Sequence, residues 1–359
     1  MTRSSRRKAS DSNPGNGADS AASAGLRYAT DSVPGIKRVR RGRGFAYLDA
    51  QGRTIRKADV LARIRALVVP PAWRDVWIAS DPRAHLQATG RDAAGRKQYR
   101  YHPSWTSVRN ATKYHRMLEF ARVLPAIRRK TSRDGGQPPG SRIRVLATVV
   151  QLLERTRIRV GNEEYVRANG SHGLTTLRDR HVKVTGRRIH FAFRAKSGVQ
   201  QTVDLEDARL ARAVRACQDL PGQILFQYVD ADGAVKAVSS ADVNGYLREI
   251  AGGEFTAKDF RTWAGTLVAA QALDELGIVA SKTGGARMIV AAIDRVAKAL
   301  GNTRAVCRKC YIHPAVLDAY FAGLTIGRMT TNARAPRGLR PVEARLLQLL
   351  RHASQRKAA

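Results

Sequence analysis

Between Val33 and His102 apolar residues alternate with polar ones in short runs broken by turn signals, whereas from Ser107 onward they recur every three or four positions. A chain that places strands first and helices afterwards does not build an alternating parallel βα sheet. It reads as α+β: a small strand-rich N-terminal domain followed by a larger, mostly helical domain carrying a small β-hairpin sheet. With 359 residues there is enough chain for two or three real cores. Composition sets the divisions: a disordered basic arm over 1–25, the strand-rich domain over 26–106, the helical domain over 107–325 and a basic C-terminal tail over 326–359.

In the first half, FAYLDAQGRTI predicts a hairpin turning at Gln51-Gly52, and Lys57 to Leu67 predicts a helix with Val60, Leu61, Ile64 and Leu67 on one face. VVPPAW is expected to be extended, because each proline restrains the residue before it. HLQATGRDAAGRKQYRYH predicts two strands joined by a turn at Ala94-Gly95. In the second of them Arg96, Gln98, Arg100 and His102 face one way and Lys97, Tyr99 and Tyr101 the other. Basic, amide and tyrosine groups on both faces suit the lining of a nucleic-acid groove, where Arg neutralises phosphate, Gln reads a base edge and Tyr stacks. An ordinary edge strand with its tyrosines in the core fits the same pattern, and both readings stay open.

In the second half, helices are predicted over Ser107–Arg129, Arg142–Thr156, Glu206–Leu220, Ala241–Ile250, Thr256–Leu276 and Gly284–Leu300, with a flexible break at TSRDGGQPPGS. Ile189, Phe191 and Phe193 mark a half-buried strand that turns at Lys196-Ser197-Gly198. A further turn is expected at Asp232-Gly233. Gly301 and Asn302 end one helix, Thr303 caps the next and carries Tyr311 about two turns in, and Pro314 opens another. A short amphipathic helix lies in the basic tail.

Lysine and arginine outnumber acids 64 to 29, a formal net charge of +35, which calls for a polyanionic partner. Double-stranded DNA fits better than a membrane, since no apolar run approaches the roughly 20 residues a span requires. The N-terminus shows no apolar export signal, and three cysteines make no disulfide framework, so a reducing cytoplasm is expected. Cys307 and Cys310 form a lone C-x-x-C, with no second pair to complete a zinc site. No metal cage and no phosphate-binding G-x-x-x-x-G-K-[ST] is evident, so neither metal nor nucleotide is expected as a cofactor. Arg157 and Arg159 carry like charge beside each other around Ile158, which favours an anion among them. Lys196 sits at a hairpin tip, and Arg261 stands near a helix N-terminus, the wrong charge for the helix dipole unless an anion binds there.

Taken together, RIRVGNEEY, GLTTLRDRHV, the hairpin lysine, KDFRTW and GNTRAVCRKCYIHP resemble, in order and spacing, the catalytic signature of the type IB DNA topoisomerases in their compact bacterial, poxvirus-like form. The resemblance runs from about Val33 to Gly323 and includes VPPAW and GRDAAGRKQYRYHP. It implies the catalytic fold shared by tyrosine recombinases and type IB topoisomerases, clamped around DNA by a single chain acting on the nucleoid. It further implies Tyr311 as the nucleophile that takes the 3′ end of a nicked strand, Arg159 and Arg261 as clasps on the scissile phosphate, and Lys196 as the acid that protonates the leaving 5′ oxygen. Asn302 stands where many relatives have histidine, so one neutral hydrogen bond replaces a possible charge. Gln98, Tyr99, Tyr101 and Tyr165 match family positions that touch DNA, and Arg96 and Asn162 are expected as further DNA contacts.

The chemistry implied is relaxation of supercoiled duplex DNA through transient cleavage and religation, with no metal and no ATP. Guanidiniums stabilise the extra negative charge of the phosphoryl transition state. Two alternatives share parts of the pattern. A tyrosine recombinase uses the same groups but has a helical N-terminal half, and a non-enzymatic basic DNA-binding protein explains the charge alone.

Overall fold

A computed structural model describes residues 14–93, 95–329 and 336–358. The chain divides into two compact units, Met1–His115 and Arg116–Ala359.

The first unit is built on a five-stranded antiparallel sheet in the order β2-β1-β3-β4-β5. Its strands are β1 (Ile36–Arg41), β2 (Gly44–Leu48), β3 (Arg74–Ile78), β4 (Leu86–Arg91) and β5 (Lys97–Tyr101), and helix α2 (Ala58–Ala66) lies between β2 and β3 in sequence. Ile36, Val76, Ile78 and Ala88 of the sheet pack with Ile64 of α2, and Val60, Leu67 and Trp73 close the edges. The turn expected at Gln51-Gly52 forms, with Gly52 at φ +80°, but it returns only as a single bridge between Leu48 and Thr54; the long partner of β2 is β1. VVPPAW is not extended. It turns at Pro70–Trp73, where the Trp73 N–H donates to the Pro70 carbonyl at 3.1 Å. The Arg38 guanidinium gathers the loop by donating to the carbonyls of Val69, Pro70 and Trp73 at 3.3, 3.1 and 2.6 Å.

The basic arm expected over 1–25 is a helix in its described part, α1 (Pro14–Ser23); residues 1–13 lie outside the described ones. The alanines that dilute its polarity favour helix. Ala21 gives it an anchor, fully buried with Leu26 and Trp105.

Helix α3 (Pro103–Asp134) runs through the first residues of the predicted flexible break. Its last turn is held by a long-range partner that no local pattern announces. The Asp134 carboxylate, 4% exposed, takes Lys130 Nζ at 2.7 Å and the Tyr246 hydroxyl at 2.6 Å. Helix α4 (Arg142–Thr156) follows with Val145, Leu146, Val149, Val150, Leu152 and Leu153 buried, a nearly all-round apolar helix at the heart of the second unit.

Around α4 stand α5 (Glu163–Asn169), the sheet β6-β7-β8 (Val182–Thr185, Arg188–Arg194, Gln200–Glu206), α6 (Ala208–Gln218), the hairpin β9 (Gln227–Val229) and β10 (Val235–Ala237), and α7 (Ser240–Ala251). The chain continues through α8 (Ala257–Leu276), α9 (Lys282–Leu300), α10 (Arg304–Cys310) and α11 (Pro314–Phe321) to α12 (Pro341–Ala358). On β7, Ile189, Phe191 and Phe193 are buried, as their alternation predicts.

The final segment is not a solvated tail. Leu346, Leu347, Leu349 and Leu350 of α12 are buried, and Glu343 is 1% exposed. Arg128 of α3 donates to both Glu343 oxygens at 2.9 and 2.7 Å and to Glu154 of α4 at 2.9 and 2.6 Å, which ties three helices together. Glu343→Ala is therefore expected to cost about 2 kcal/mol in urea denaturation, less than a fully stranded buried charge would, because Arg128 keeps Glu154. Burial pushes the Glu343 pKa up, but the Arg128 hydrogen bonds, the Arg340 N–H and the two positive charges outweigh it and hold it below the usual carboxylate range. A depressed folded pKa contributes stability above the unfolded value of about 4.3 that is lost as pH falls through the folded value. The stability gap between wild type and variant should accordingly narrow as the buffer is taken below about pH 4.

Candidate active site

The site begins where α4 ends. Arg157 adopts a left-handed conformation (φ 60°, ψ 13°) as its C-cap, sending Ile158 into the core and bringing Arg159 out of the turn. The next residues are clamped to the GLTT run: the Leu174 N–H donates to the Arg159 carbonyl at 2.9 Å and the Thr175 N–H to that of Val160 at 2.7 Å. A Cβ on Gly173 would lie 2.6 Å from the Arg159 carbonyl oxygen and from the Gly161 nitrogen, so this crossing requires glycine.

Arg261, in the second turn of α8, is 3% exposed. The Arg261 guanidinium donates through Nη2 to the Leu300 carbonyl at 2.7 Å and through Nη1 to the Arg157 carbonyl, while Nε is buried without a hydrogen-bond partner among the described residues. Arg261, the wrong charge for the N-terminus of α8, thus reaches away from it. The charged head serves the C-terminal ends of α4 and α9, where helix dipoles favour a cation.

Asn302 follows the Gly301 C-cap of α9, and its Oδ1 accepts from Arg159 Nη2. Its own Nδ2 is buried without a partner among the described residues. Thr303 caps α10, as the sequence predicts, and Tyr311 is the C-cap of that helix. The Arg261 Cζ stands 5.3 Å from the centre of the Tyr311 ring.

Two residues that sequence reasoning passed over hold the tyrosine. The Thr266 hydroxyl, fully buried on α8, has its one proton between the Thr262 carbonyl at 2.9 Å and the Tyr311 carbonyl at 3.2 Å, and accepts the His313 N–H at 3.1 Å. Gly265 lets the strand of backbone come close, since a Cβ there would meet the Tyr311 carbonyl oxygen at 2.7 Å and its Cβ at 3.0 Å. No signal in the sequence marks the pair, since α8 carries small residues along much of its length.

Arg159, Arg261, Asn302 and Tyr311 are thus brought to one place by α4, α8 and the α9–α10 junction. Lys196 is not in contact with them. It is exposed at the β7–β8 turn, where Ser197 has φ 67°, and makes no hydrogen bond or ion pair among the described residues. Its hairpin nevertheless passes the site: the Gln201 side chain of β8 comes within 3.8 Å of the position a Cβ on Gly301 would take.

Burial lowers the pKa of both arginines. For Arg159 the like charge of Arg261 adds to the effect, and the Tyr311 phenol and the Cys307 thiol oppose it. The pair stays charged at neutral pH. Two like charges this close repel each other unless an anion shares the site, and beside them the Asn302 Nδ2 and Arg261 Nε atoms are buried without a hydrogen-bond partner among the described residues. Cys307 is fully buried nearby, and burial pushes its thiol pKa up, against the pull of Arg261 and Arg159, which favours the neutral thiol. Among the described residues no group of three or more His, Cys, Asp or Glu could hold a metal ion.

Of the candidate DNA contacts, Asn162 caps α5 by accepting the Glu164 N–H at 2.7 Å, and Tyr165 is 56% exposed. In the first unit β5 is the edge strand, yet its tyrosines are not core: Tyr99 and Tyr101 are 47% and 38% exposed, with parallel rings 6.0 Å apart. Arg96 and Gln98 both bind the Asp92 carboxylate.

A family model described as the catalytic core of eukaryotic DNA topoisomerase I matches residues 102–329, and one for the N-terminal domain of bacterial DNA topoisomerase IB matches residues 44–92. The DNA topoisomerase 1B of Acanthamoeba polyphaga mimivirus is 34% identical over 297 residues, which is 80% of this chain and 88% of that protein. No helix among the described residues is long and apolar enough to cross a membrane. The strand-built first unit and these three matches together place the chain in the type IB DNA topoisomerases, an isomerase family that acts on DNA.

Proposed function

We propose that the protein relaxes supercoiled duplex DNA by nicking one strand through Tyr311 and resealing it. The Tyr311 hydroxyl gives up its proton to solvent as its oxygen attacks a backbone phosphorus, a new O–P bond forms, and the bond to the 5′ oxygen breaks. The 3′ end stays on the enzyme as a phosphotyrosyl diester. Arg159, Arg261 and the Asn302 amide hold the non-bridging oxygens, whose negative charge grows in the transition state. Lys196 supplies the proton to the departing 5′ oxygen when the hairpin bends over bound DNA. The diester keeps the bond energy, so the free 5′ hydroxyl reverses the step after the other strand has rotated. Neither ATP nor a metal is required.

The observation that carries this reading is the convergence of a buried arginine, a partly buried arginine, an amide with an unpartnered donor and a partly buried tyrosine from separate parts of the chain. Both units engage the duplex, one chain per duplex, with the exposed Tyr99, Tyr101 and Tyr165 and the Asn162 turn as further contacts. Purified protein is expected to relax negatively supercoiled plasmid in excess EDTA with no nucleotide added. A strict requirement for a divalent cation or ATP contradicts the scheme.

A further inference from the structure

The β4–β5 turn contains a carboxylate that the chemistry of the second unit does not use. Asp92 has a side chain 18% exposed and binds three groups of the strand that follows. Its Oδ1 accepts the Arg96 backbone N–H at 2.9 Å, and its Oδ2 accepts Arg96 Nε at 2.8 Å and Gln98 Nε2 at 2.9 Å. Burial would raise the Asp92 pKa, but the hydrogen bonds from Arg96 and Gln98 prevail and hold it below the usual carboxylate range. At neutral pH it is therefore an ionised group that only accepts.

That settles the orientation of the Gln98 amide on chemical grounds. Reversed, it would set its carbonyl oxygen against a carboxylate oxygen, two acceptors with no proton between them. With Nε2 committed to Asp92, Oε1 is the end turned away from the carboxylate, and it takes no hydrogen bond among the described residues. The surroundings hold the arrangement in place. Gln98 pairs with Gly90, where a Cβ would strike the Trp73 ring at 2.8 Å. Arg100, next on the same face, lies over that ring and donates to the Val68 carbonyl at 3.0 Å.

We infer that Asp92 is a positioning residue for base readout, anchoring the Gln98 amide nitrogen so that Oε1 accepts a hydrogen bond from the exocyclic amine of adenine or cytosine. This rests on the reading of β5 as a strand that meets the duplex. In the major groove adenine and cytosine offer an amine where guanine and thymine offer a carbonyl oxygen, so an acceptor locked in place discriminates by sign. Arg96, tethered through Nε and Nη2, keeps Nη1 for a backbone phosphate.

The test is covalent trapping of a randomised duplex library by the full-length protein, followed by sequencing of the trapped strands. Wild type should show one position enriched in adenine and cytosine that Gln98→Leu flattens. Asp92→Asn presents a carboxamide that can donate or accept, which frees Gln98 to reverse, so the ratio of adenine plus cytosine to guanine plus thymine at that position should fall about fivefold or more while preferences elsewhere persist. In wild type, replacing adenine there with purine, which lacks the amine, should reduce trapping on the order of tenfold. A merely structural Asp92 lowers trapping at every site equally and leaves the ratio unchanged, and that result overturns the inference. So does a wild type indifferent to loss of the amine, a comparison that needs no variant to fold. Plasmid relaxation by wild type with no position answering to Gln98→Leu overturns this inference alone, whereas loss of both trapping and relaxation contradicts the proposed function beneath it.

Discussion

Tyr311→Phe should abolish plasmid relaxation, by at least about 10⁴-fold, and leave the melting temperature close to that of wild type. The size of the loss follows from the role: without the oxygen no O–P bond forms, and the remaining guanidiniums only hold the phosphate. The small effect on stability follows from the structure. The tyrosine is kept in place through its backbone, by the Thr266 hydroxyl and the Cys307 carbonyl, and its side chain is only partly buried. Duplex binding, measured by anisotropy at matched salt, should survive the change because the basic groups are untouched. Residual relaxation at wild-type rate would mean another nucleophile.

Arg261→Lys should be the second-largest effect, with the single-turnover cleavage rate on a suicide duplex falling about 10³-fold. Lysine keeps the charge but lacks the fork. One ammonium cannot serve the Arg157 and Leu300 carbonyls, which lie at the ends of two different helices, and still present a donor to phosphate. The same substitution should lower stability by about 2 kcal/mol, since a buried carbonyl at a helix end loses a charged donor. Measured well below the melting temperature of the variant, a cleavage rate within a few-fold of wild type would show that Arg261 serves the fold and not the chemistry.

Much of the second unit is readable from the chain because its periodic segments are also its most buried ones. Arg142–Thr156 folds with the bounds its apolar stripe marks, and the β7–β8 hairpin turns where Lys196-Ser197-Gly198 indicates. What escapes is whatever depends on partners far away in sequence. The last turn of α3 relies on Tyr246, and α12 is fixed by Arg128, 215 residues before Glu343. A basic, weakly amphipathic segment looks like tail until that partner is known. The helix in the N-terminal arm escapes for a similar reason, its anchor being one small residue, Ala21, against Leu26 and Trp105.

The site divides along the same line. Its functional side chains stand in recognisable runs, so Arg159, Arg261, Asn302 and Tyr311 are visible as residues. Their supports are not. Gly265 and Thr266 carry no chemistry of their own and matter only because the Tyr311 backbone passes within contact distance. The acidic partner of Arg96 and Gln98 hides in a turn that reads as ordinary hairpin chemistry.

The measurement that bears most directly on the account is the identity of the residue joined to DNA. Wild-type protein incubated with a suicide duplex in EDTA, denatured in SDS and digested should yield one peptide carrying a 3′-linked nucleotide on Tyr311. Attachment at any other residue, or through the 5′ end of the broken strand, or no SDS-resistant adduct under conditions where plasmid is relaxed, would contradict it.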